Sequence, residues 1–215
     1  MITHIIKQTL AGKTVNRLLM NDALRRISVR GKILDLGAGT IRSSYFEFLT
    51  VGESSEVVSI DALPDRKPDI TADLENGIPL PAQSFDTVLC FNLLEHIFSY
   101  GKLTSESCRV LRPGGRLIGY VPFLVNFHPD PHDYFRYTEQ GLERILEDSG
   151  FSKITVSFVG RGPFTAAWSQ VAYVLPRFIR WTVTLLAFAT DYLLLRLKPG
   201  FRGKYPTGYV FIAEK

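Results

Sequence analysis

Short apolar runs alternate with amphipathic stretches along most of this chain. The apolar runs are typical of buried strands and fall at 32–36, 57–61, 69–73, 84–91, 116–121, 154–159 and 208–213. Apolar residues recur at helical spacing, or the sequence favours a helix, over 14–29, 43–50, 93–97, 103–111 and 138–150. Residues 1–13 are compatible with a helix or a loop. Strand followed by helix, repeated, predicts a parallel sheet with right-handed crossovers.

A glycine loop follows the first of these strands, within residues 32–40. The apolar run ends at Leu36, and Gly37 and Gly39 come next. Glycine tolerates positive φ and lets a backbone approach a ligand closely. Asp35 lies near the end of the strand, where open α/β sheets bind ligands. A lone Gly-x-Gly is also compatible with an ordinary strand-to-helix turn.

Polar residues also close the next three strands. Asp61 ends the second strand, 22 residues after Gly39. A carboxylate at that place can accept two hydrogen bonds from a ribose diol, although an exposed loop aspartate is the alternative. Asp73 ends the third strand, and Asn92 follows the fourth.

Length and composition indicate one globular domain over residues 1–215, with a formal net charge of +4. Cys90 and Cys108 have no zinc-site spacing and imply no disulfide framework. The N-terminus lacks the continuous apolar core of a secretory signal. We therefore expect a cytoplasmic setting.

An insertion at 161–205 separates the last two strands. We predict a helix from Phe164 to Leu175, ended by Pro176, and then a very apolar segment. The polar residues of that segment fall on one narrow helical stripe: Arg177, Arg180, Thr184, Asp191 and Lys198. Three alternatives stay open, namely a lid or subunit interface, a helix in the membrane interface, and a spanning helix.

Five motifs occur in an order that resembles the class I S-adenosylmethionine-dependent methyltransferases, over about 30–160 and the last ten residues. They are Asp-Leu-Gly-Ala-Gly at 35–39, Asp61, Ala-Asp-Leu at 72–74, Phe-Asp-Thr-Val at 85–88 with Asn-Leu-Leu-Glu-His at 92–96, and Arg-Val-Leu-Arg-Pro-Gly-Gly at 109–115. The small-molecule branch typified by quinone-biosynthesis enzymes is the most similar. The resemblance implies an α/β, Rossmann-like sheet of seven strands, mostly parallel with an antiparallel last strand. Helices on both faces and a helical insertion between the last two strands complete the expected fold.

The resemblance also implies how S-adenosylmethionine is held at its amino-acid end. Gly37 and Gly39 let the backbone approach that part of the cofactor, and Asp35 lies near its ammonium group. Asn92 lies under the methionine tail. This family often has a third glycine, where the present chain has Ile41.

At the nucleoside end, the resemblance implies that Asp61 holds the ribose hydroxyls. Asp73 accepts from the adenine amino group, and Leu74 lies beside the ring. A nicotinamide-dependent oxidoreductase of the same fold is one alternative, but its motif needs glycine where this chain has Arg42. A non-catalytic nucleotide-binding module is the other.

Three histidines are candidates for the base that an oxygen acceptor requires: His132, His128 and His96. Imidazole titrates near neutral pH, so each is suited to the task. We predict no metal site from His128 and His132, because Pro129 and Pro131 forbid the helix that would place both on one face.

We predict that the methyl acceptor is a small molecule, a sugar or a lipid-linked compound. Nucleic acid is not expected, because residues 92–95 lack the Asn-Pro-Pro-Tyr type of motif and no basic-aromatic stripe follows one element. Residues 163–203 are the expected contact to a membrane, at its inner face, or to a second copy of the chain.

Overall fold

The computed structural model describes residues 2–39 and 43–215. Its helices are α1 (Ile2–Leu10), α2 (Val15–Leu24), α3 (Tyr100–Val110), α4 (Glu139–Asp148), α5 (Pro163–Val171) and α6 (Arg177–Leu197). Its strands are β1 (Ser28–Val29), β2 (Lys32–Leu36), β3 (Thr50–Val51), β4 (Glu56–Asp61), β5 (Ile70–Thr71), β6 (Phe85–Phe91), β7 (Leu111–Pro122), β8 (Ser152–Val159) and β9 (Gly208–Glu214).

The main sheet has seven strands in the order β5-β4-β2-β6-β7-β9-β8. Neighbours from β5 to β7 run parallel, and Leu36 of β2 pairs with Ile60 on one side and Cys90 on the other. The last strand, β9, runs antiparallel to both β7 and β8. The predicted fold class is therefore confirmed, and the carboxyl ends of β2, β4 and β6 lie side by side at one edge.

Helices cover both faces of the sheet, as predicted. One apolar cluster includes Leu103 of α3 and Leu142 of α4. The other includes Leu18 of α2, Trp168 of α5 and Phe188 of α6. The near-continuous burial of β2 and β6 follows from this double covering.

The predicted helix over 14–29 is wrong in its last five residues. Helix α2 ends at Leu24, and the chain turns through Arg25. Strand β1 then pairs in parallel with β3, forming a two-stranded sheet beside the main one. Buried Ile27 and Val29 continue the apolar spacing of the helix, which is why periodicity alone extended it. Residues 1–13, left open above, contain α1.

Other predicted boundaries shift by a few residues. The stretch over 43–50 forms a 3₁₀ turn at Ser44–Phe48, and 93–97 forms another at Leu94–His96. Helix α3 then begins at Tyr100, and the third strand is reduced to Ile70–Thr71. Apolar spacing over one turn does not separate a 3₁₀ turn from an α-helix.

The insertion between β8 and β9 forms a hairpin of α5 and α6, with Pro176 preceding α6. Buried Asp191 of α6 accepts the backbone N–H groups of Phe164, at 3.0 Å, and Thr165, at 2.7 Å. These are donors of the first turn of α5 that the helix itself leaves unpaired. Trp168 Nε1 donates to Thr184 at 2.9 Å. The middle of the predicted polar stripe therefore faces inward and joins the two helices.

Candidate functional site

Gly37 and Gly39 form the loop at the carboxyl end of β2. Both take positive φ, +65° and +73°. A Cβ on Gly37 would lie 2.9 Å from Leu93 Cδ1, whereas one on Gly39 would meet no atom within 4 Å among the described residues. No described residue therefore blocks the approach of a ligand to the backbone at Gly39. The third-glycine position, Ile41, and the position Arg42 lie outside the described residues.

Asp61 is buried at the end of β4, with its side chain 4% exposed. Its carboxylate accepts the N–H of Gly39 and the N–H of Leu63, each at 2.9 Å, and Arg66 Nη1 at 3.2 Å. The same guanidinium donates through Nη2 to both carboxylate oxygens of Asp130, at 3.0 and 2.9 Å. Arg66 thus occupies the outer side of Asp61 and links it to the segment after β7.

Asp35 is buried in β2, one residue before the end of the strand. It is 1% exposed, and its carboxylate accepts the hydroxyls of Tyr45 and, at 3.2 Å, Ser43. Burial raises the pKa of Asp35 to about 7, helped by the charge of Asp61 and opposed by the two hydrogen bonds. Asp35 therefore ties β2 to the residues that follow the glycine loop.

Asp73 and Leu74 form the start of a short 3₁₀ turn after β5. Asp73 is exposed and accepts Glu75 N at 3.0 Å and Asn76 Nδ2 at 2.9 Å. Leu74 is 4% exposed and belongs to the core. The structure therefore leaves the carboxylate accessible and covers most of the leucine side chain.

A cavity of about 450 Å³ lies beside this edge of the sheet, within the size range of small-molecule sites. Its walls come from the start of α2, the ends of β6 and β7, the segment after β7 and the α5–α6 hairpin, and include Asn92, His96, Asn126, His128, Tyr173 and Arg180. Asn92 takes φ +50° and directs its side-chain nitrogen to Met20 Sδ at 3.5 Å. Asn92 lies between this cavity and the carboxyl ends of β2 and β4. Because the resemblance implies S-adenosylmethionine at those strand ends, we call them the cofactor edge, and we call the cavity the acceptor cavity.

Two of the three candidate bases lie together in this cavity. The rings of His96 and His128 meet edge to face, with centroids 5.4 Å apart. His132 is exposed and packs against Tyr134 instead, at 5.2 Å between centroids. Its backbone carbonyl, not its ring, contacts the pair, because His96 Nδ1 lies 2.5 Å from that oxygen.

Behind the pair lies a carboxylate that sequence reasoning did not single out. Glu95 is fully buried, and its Oε1 lies 3.7 Å from His96 Nε2 and 3.9 Å from His128 Nε2. The latter distance is too long for a hydrogen bond, so Glu95 raises the pKa of His128 through its negative charge. A glutamate on a turn after a strand is usually solvated, so no local signal distinguished Glu95.

The 122–138 segment that carries His128 is held from several sides. The Leu124 carbonyl accepts Asn16 Nδ2 at 3.2 Å and Gln170 Nε2 at 2.7 Å. Asp133, whose pKa Arg136 holds down to about 2, accepts the His128 N–H at 3.0 Å. The position of the His128 ring is therefore set by contacts to α2, α5 and its own loop.

The outer face of α6 is apolar. Six large side chains project from it, with Leu186 66% and Leu197 82% exposed: Phe178, Ile179, Leu186, Tyr192, Leu193 and Leu197. Exposed basic residues flank these side chains at both ends: Arg177, Arg196, Lys198, Arg202 and Lys204. By length and composition α6 could cross a membrane, a weak criterion that core helices also meet.

Parts of this chain are similar in sequence to known proteins. The methyltransferase domain family matches residues 34–119. A Mycolicibacterium smegmatis protein named "Probable S-adenosylmethionine-dependent methyltransferase" is 36% identical over 80 residues, which cover 34% of this chain and 31% of that protein. A demethylmenaquinone methyltransferase of Tropheryma whipplei is 34% identical over 99 residues, covering 40% of each. The chain thus spans about a third to two fifths of the length of these curated relatives.

The whole fold has a counterpart among solved structures. A SAM-dependent methyltransferase from Archaeoglobus fulgidus superposes with a TM-score of 0.59 and 19% identity, covering 92% of this chain and 94% of that one. At this identity the likeness concerns the fold, and it agrees with the sheet order and the antiparallel last strand. The domain match, the relatives and the fold together confirm the predicted resemblance to the class I S-adenosylmethionine-dependent methyltransferases over the nicotinamide alternative.

Proposed function

We propose that this protein transfers a methyl group from S-adenosylmethionine to an oxygen of a small-molecule or lipid-linked acceptor bound in the acceptor cavity. The observation that carries the proposal is the meeting of two sites at one sheet edge. The glycine loop with Asp61 lies at the ends of β2 and β4, and Asn92 leads from it to a cavity lined by two imidazoles.

The cofactor edge fits the group that the family uses. When bound, S-adenosylmethionine supplies a methyl group activated by a positively charged sulfur. Gly39 offers open backbone, Asp61 a buried carboxylate for the ribose diol, and Asp73 an accessible acceptor for an amino group. Asp35 is better placed to hold the loop through Tyr45 than to meet the cofactor itself.

On the acceptor side, an oxygen nucleophile must lose its proton at or before methyl transfer. The cavity wall offers the group formed by Glu95, His96 and His128 for this purpose. Within it, His128 is the more accessible imidazole, with its side chain 42% exposed against 11% for His96. We therefore favour His128 over His132, whose ring lies outside the cavity.

The test compares His128→Ala with His132→Ala in two assays. We expect His128→Ala to lower methyl release across a panel of hydroxylated metabolites by about 10²-fold, while cofactor affinity in calorimetry stays unchanged. His132→Ala should retain most of its turnover. Cofactor binding without methyl release to any acceptor would favour the non-catalytic binding module. Equal turnover in wild type and His128→Ala would remove His128 from the mechanism.

We further propose that the outer face of α6 binds an anionic membrane surface. Apolar side chains flanked by lysine and arginine suit the boundary between headgroups and acyl chains. Tyr173, which is 62% exposed, lines the acceptor cavity and lies in the turn that precedes α6, so an exposed aromatic side chain stands at the cavity wall. A lipid-linked acceptor could then enter without leaving the membrane. The demethylmenaquinone methyltransferase among the relatives supports an acceptor of low molecular weight.

Vesicle sedimentation tests this contact with point variants, because Trp168 and Phe188 of the hairpin belong to the core and its removal would disturb the fold. Leu186→Glu with Leu193→Glu changes exposed positions alone. Wild type should sediment with phosphatidylglycerol vesicles and not with phosphatidylcholine vesicles, and the double variant with neither. No sedimentation of wild type would exclude the membrane contact. A dimer in sedimentation velocity that the double variant abolishes would assign the face to a second copy.

A further inference from the structure

The carboxylate of Glu95 lacks the partners that a buried anion requires. Its residue is 0% exposed, and among residues 2–39 and 43–215 neither carboxylate oxygen has a hydrogen-bond partner. Its backbone oxygen, by contrast, accepts the N–H of Tyr134 at 2.8 Å. Burying an unpaired carboxylate is costly unless a positive group compensates it. Arg136 acts on Glu95 through its charge alone, because its guanidinium donates to Asp133. A cation or a proton in contact with the Glu95 carboxylate would therefore complete the site.

The two neighbouring imidazoles both direct their Nε2 atoms toward the Glu95 carboxylate. His96 Nδ1 lies 2.5 Å from the carbonyl oxygen of His132, and His128 Nδ1 lies 2.8 Å from that of Asn126. A carbonyl only accepts, so the Nδ1 atom of each ring carries the hydrogen. In the neutral rings both Nε2 atoms then present lone pairs, and both face Glu95 Oε1. A backbone carbonyl that fixes Nδ1–H is the usual support of a metal-bound histidine.

The spacing of the three atoms fits a small divalent ion. One ligand atom from each of Glu95, His96 and His128 lies within 4.8 Å of the others. Ligands bound at about 2.0–2.2 Å in tetrahedral geometry lie roughly 3.4 Å apart. The separations of 3.7 and 3.9 Å from Glu95 therefore require only a small inward movement.

We propose that Glu95, His96 and His128 bind a divalent first-row transition ion, such as Zn²⁺, that faces the acceptor cavity. Two imidazoles and one carboxylate suit zinc, iron or manganese. Three protein ligands leave a coordination position open, and His96 and His128 line the cavity, so that position faces the acceptor. This site differs from the His128–His132 pairing considered from the sequence, because Glu95 and His96 replace His132.

The inference rests on the proposed function and specifies how the acceptor loses its proton. An acceptor hydroxyl at the open position would become more acidic. Its O–H bond breaks, the electron pair stays on oxygen, and the proton leaves to water. His128 then serves as a ligand of the ion rather than as the base itself. Either role lowers the turnover of His128→Ala, so metal binding has to be measured separately from turnover.

Calorimetry with Zn²⁺ alone, on protein freed of metal by a chelator, tests the site directly. We expect one Zn²⁺ per wild-type chain and about tenfold or greater weakening in Glu95→Gln and in His128→Ala. Glu147→Gln makes the same chemical change on the exposed face of α4 and should bind like wild type. Thermal melts identify a misfolded variant, and Zn²⁺ should raise the Tm of wild type but not of Glu95→Gln. Equal Zn²⁺ binding by wild type and Glu95→Gln, or none by wild type, would overturn the site.

Turnover in the presence of a chelator separates the two proposals. Full methyl release in excess EDTA would refute the metal role and leave the methyltransferase function intact. Zn²⁺ binding that depends on Glu95, without methyl release to any acceptor, would support the site and refute the function. If the compensating charge is a proton, wild type binds no Zn²⁺, and the His128 titration followed by NMR moves to lower pH in Glu95→Gln.

Discussion

The buried carboxylates at the two halves of the site differ in whether the chain gives them hydrogen-bond partners. At the cofactor edge, Asp61 meets two backbone N–H groups and a guanidinium, and Asp35 meets two hydroxyls. At the acceptor edge, the equally buried Glu95 meets two imidazole nitrogens beyond hydrogen-bond distance. Both carboxylates of the cofactor edge are thus hydrogen-bonded by groups of the chain itself. At the acceptor edge, the Glu95 carboxylate has no hydrogen-bond partner among the described residues, and the proposed ion would supply its missing contact.

The stability that Asp35 contributes at the cofactor edge depends on pH. The pKa of Asp35 is about 7 in the folded protein, well above its usual 3.8, so the native state binds that proton more tightly than the unfolded state. Stability from this group is therefore greatest below about pH 4 and falls as pH rises toward 7, by on the order of 4 kcal/mol. Asp35→Asn should remove that fall, measured as the difference in urea unfolding between pH 5 and pH 8.

Asp148→Asn on the exposed face of α4 is the control for that experiment and should follow wild type. If Asp35→Asn keeps the wild-type pH dependence, Asp35 is ionised without cost, and its environment resembles that of Asp61.

The affinity for S-adenosylmethionine is a second test of the hydrogen-bonded carboxylates at the cofactor edge. Asp61→Ala removes charge-assisted hydrogen bonds worth about 1.5–3 kcal/mol each, both to the ribose and to the N–H of Gly39. We expect S-adenosylmethionine affinity to fall by about 10²-fold in calorimetry. The exposed neighbour Asp65→Ala should change it little. A similar loss in both variants would mean that general charge, not the ribose contact, governs binding.

The same contrast explains what the sequence could predict. Asp61 and the glycine loop lie at the ends of the adjacent strands β4 and β2, and Asp61 accepts the N–H of Gly39. Strand periodicity and motif order therefore predicted their positions. The Glu95 cluster depends on His128, which reaches Glu95 through an irregular segment held by Asn16 and Gln170. No periodicity specifies such a path.

The α5–α6 hairpin shows the same limit in a regular element. The stripe on α6 was visible in the sequence, but its direction was not. Polar residues on a helix usually face water, whereas Thr184 and Asp191 face α5 because the first turn of α5 and Trp168 need acceptors. Long-range hydrogen bonding, which no local pattern encodes, decided which face became the surface.

The smallest expected effect concerns Arg66, which joins the two halves by binding Asp61 and Asp130 at once. Its side chain is 31% exposed and that of Asp130 57%, so the bridge contributes little to stability, about 0–1 kcal/mol. Its guanidinium occupies the outer side of Asp61, where the ribose diol would bind in the proposed cofactor site. Arg66→Ala should therefore tighten S-adenosylmethionine binding by a few-fold, because the cofactor no longer displaces a cation.

Arg66→Lys keeps the charge without the two-pronged contact and should fall between the two proteins. Calorimetry that shows tenfold weaker binding in Arg66→Ala would instead make Arg66 a cofactor ligand, and the two edges would then be coupled through the ligand rather than through the bridge.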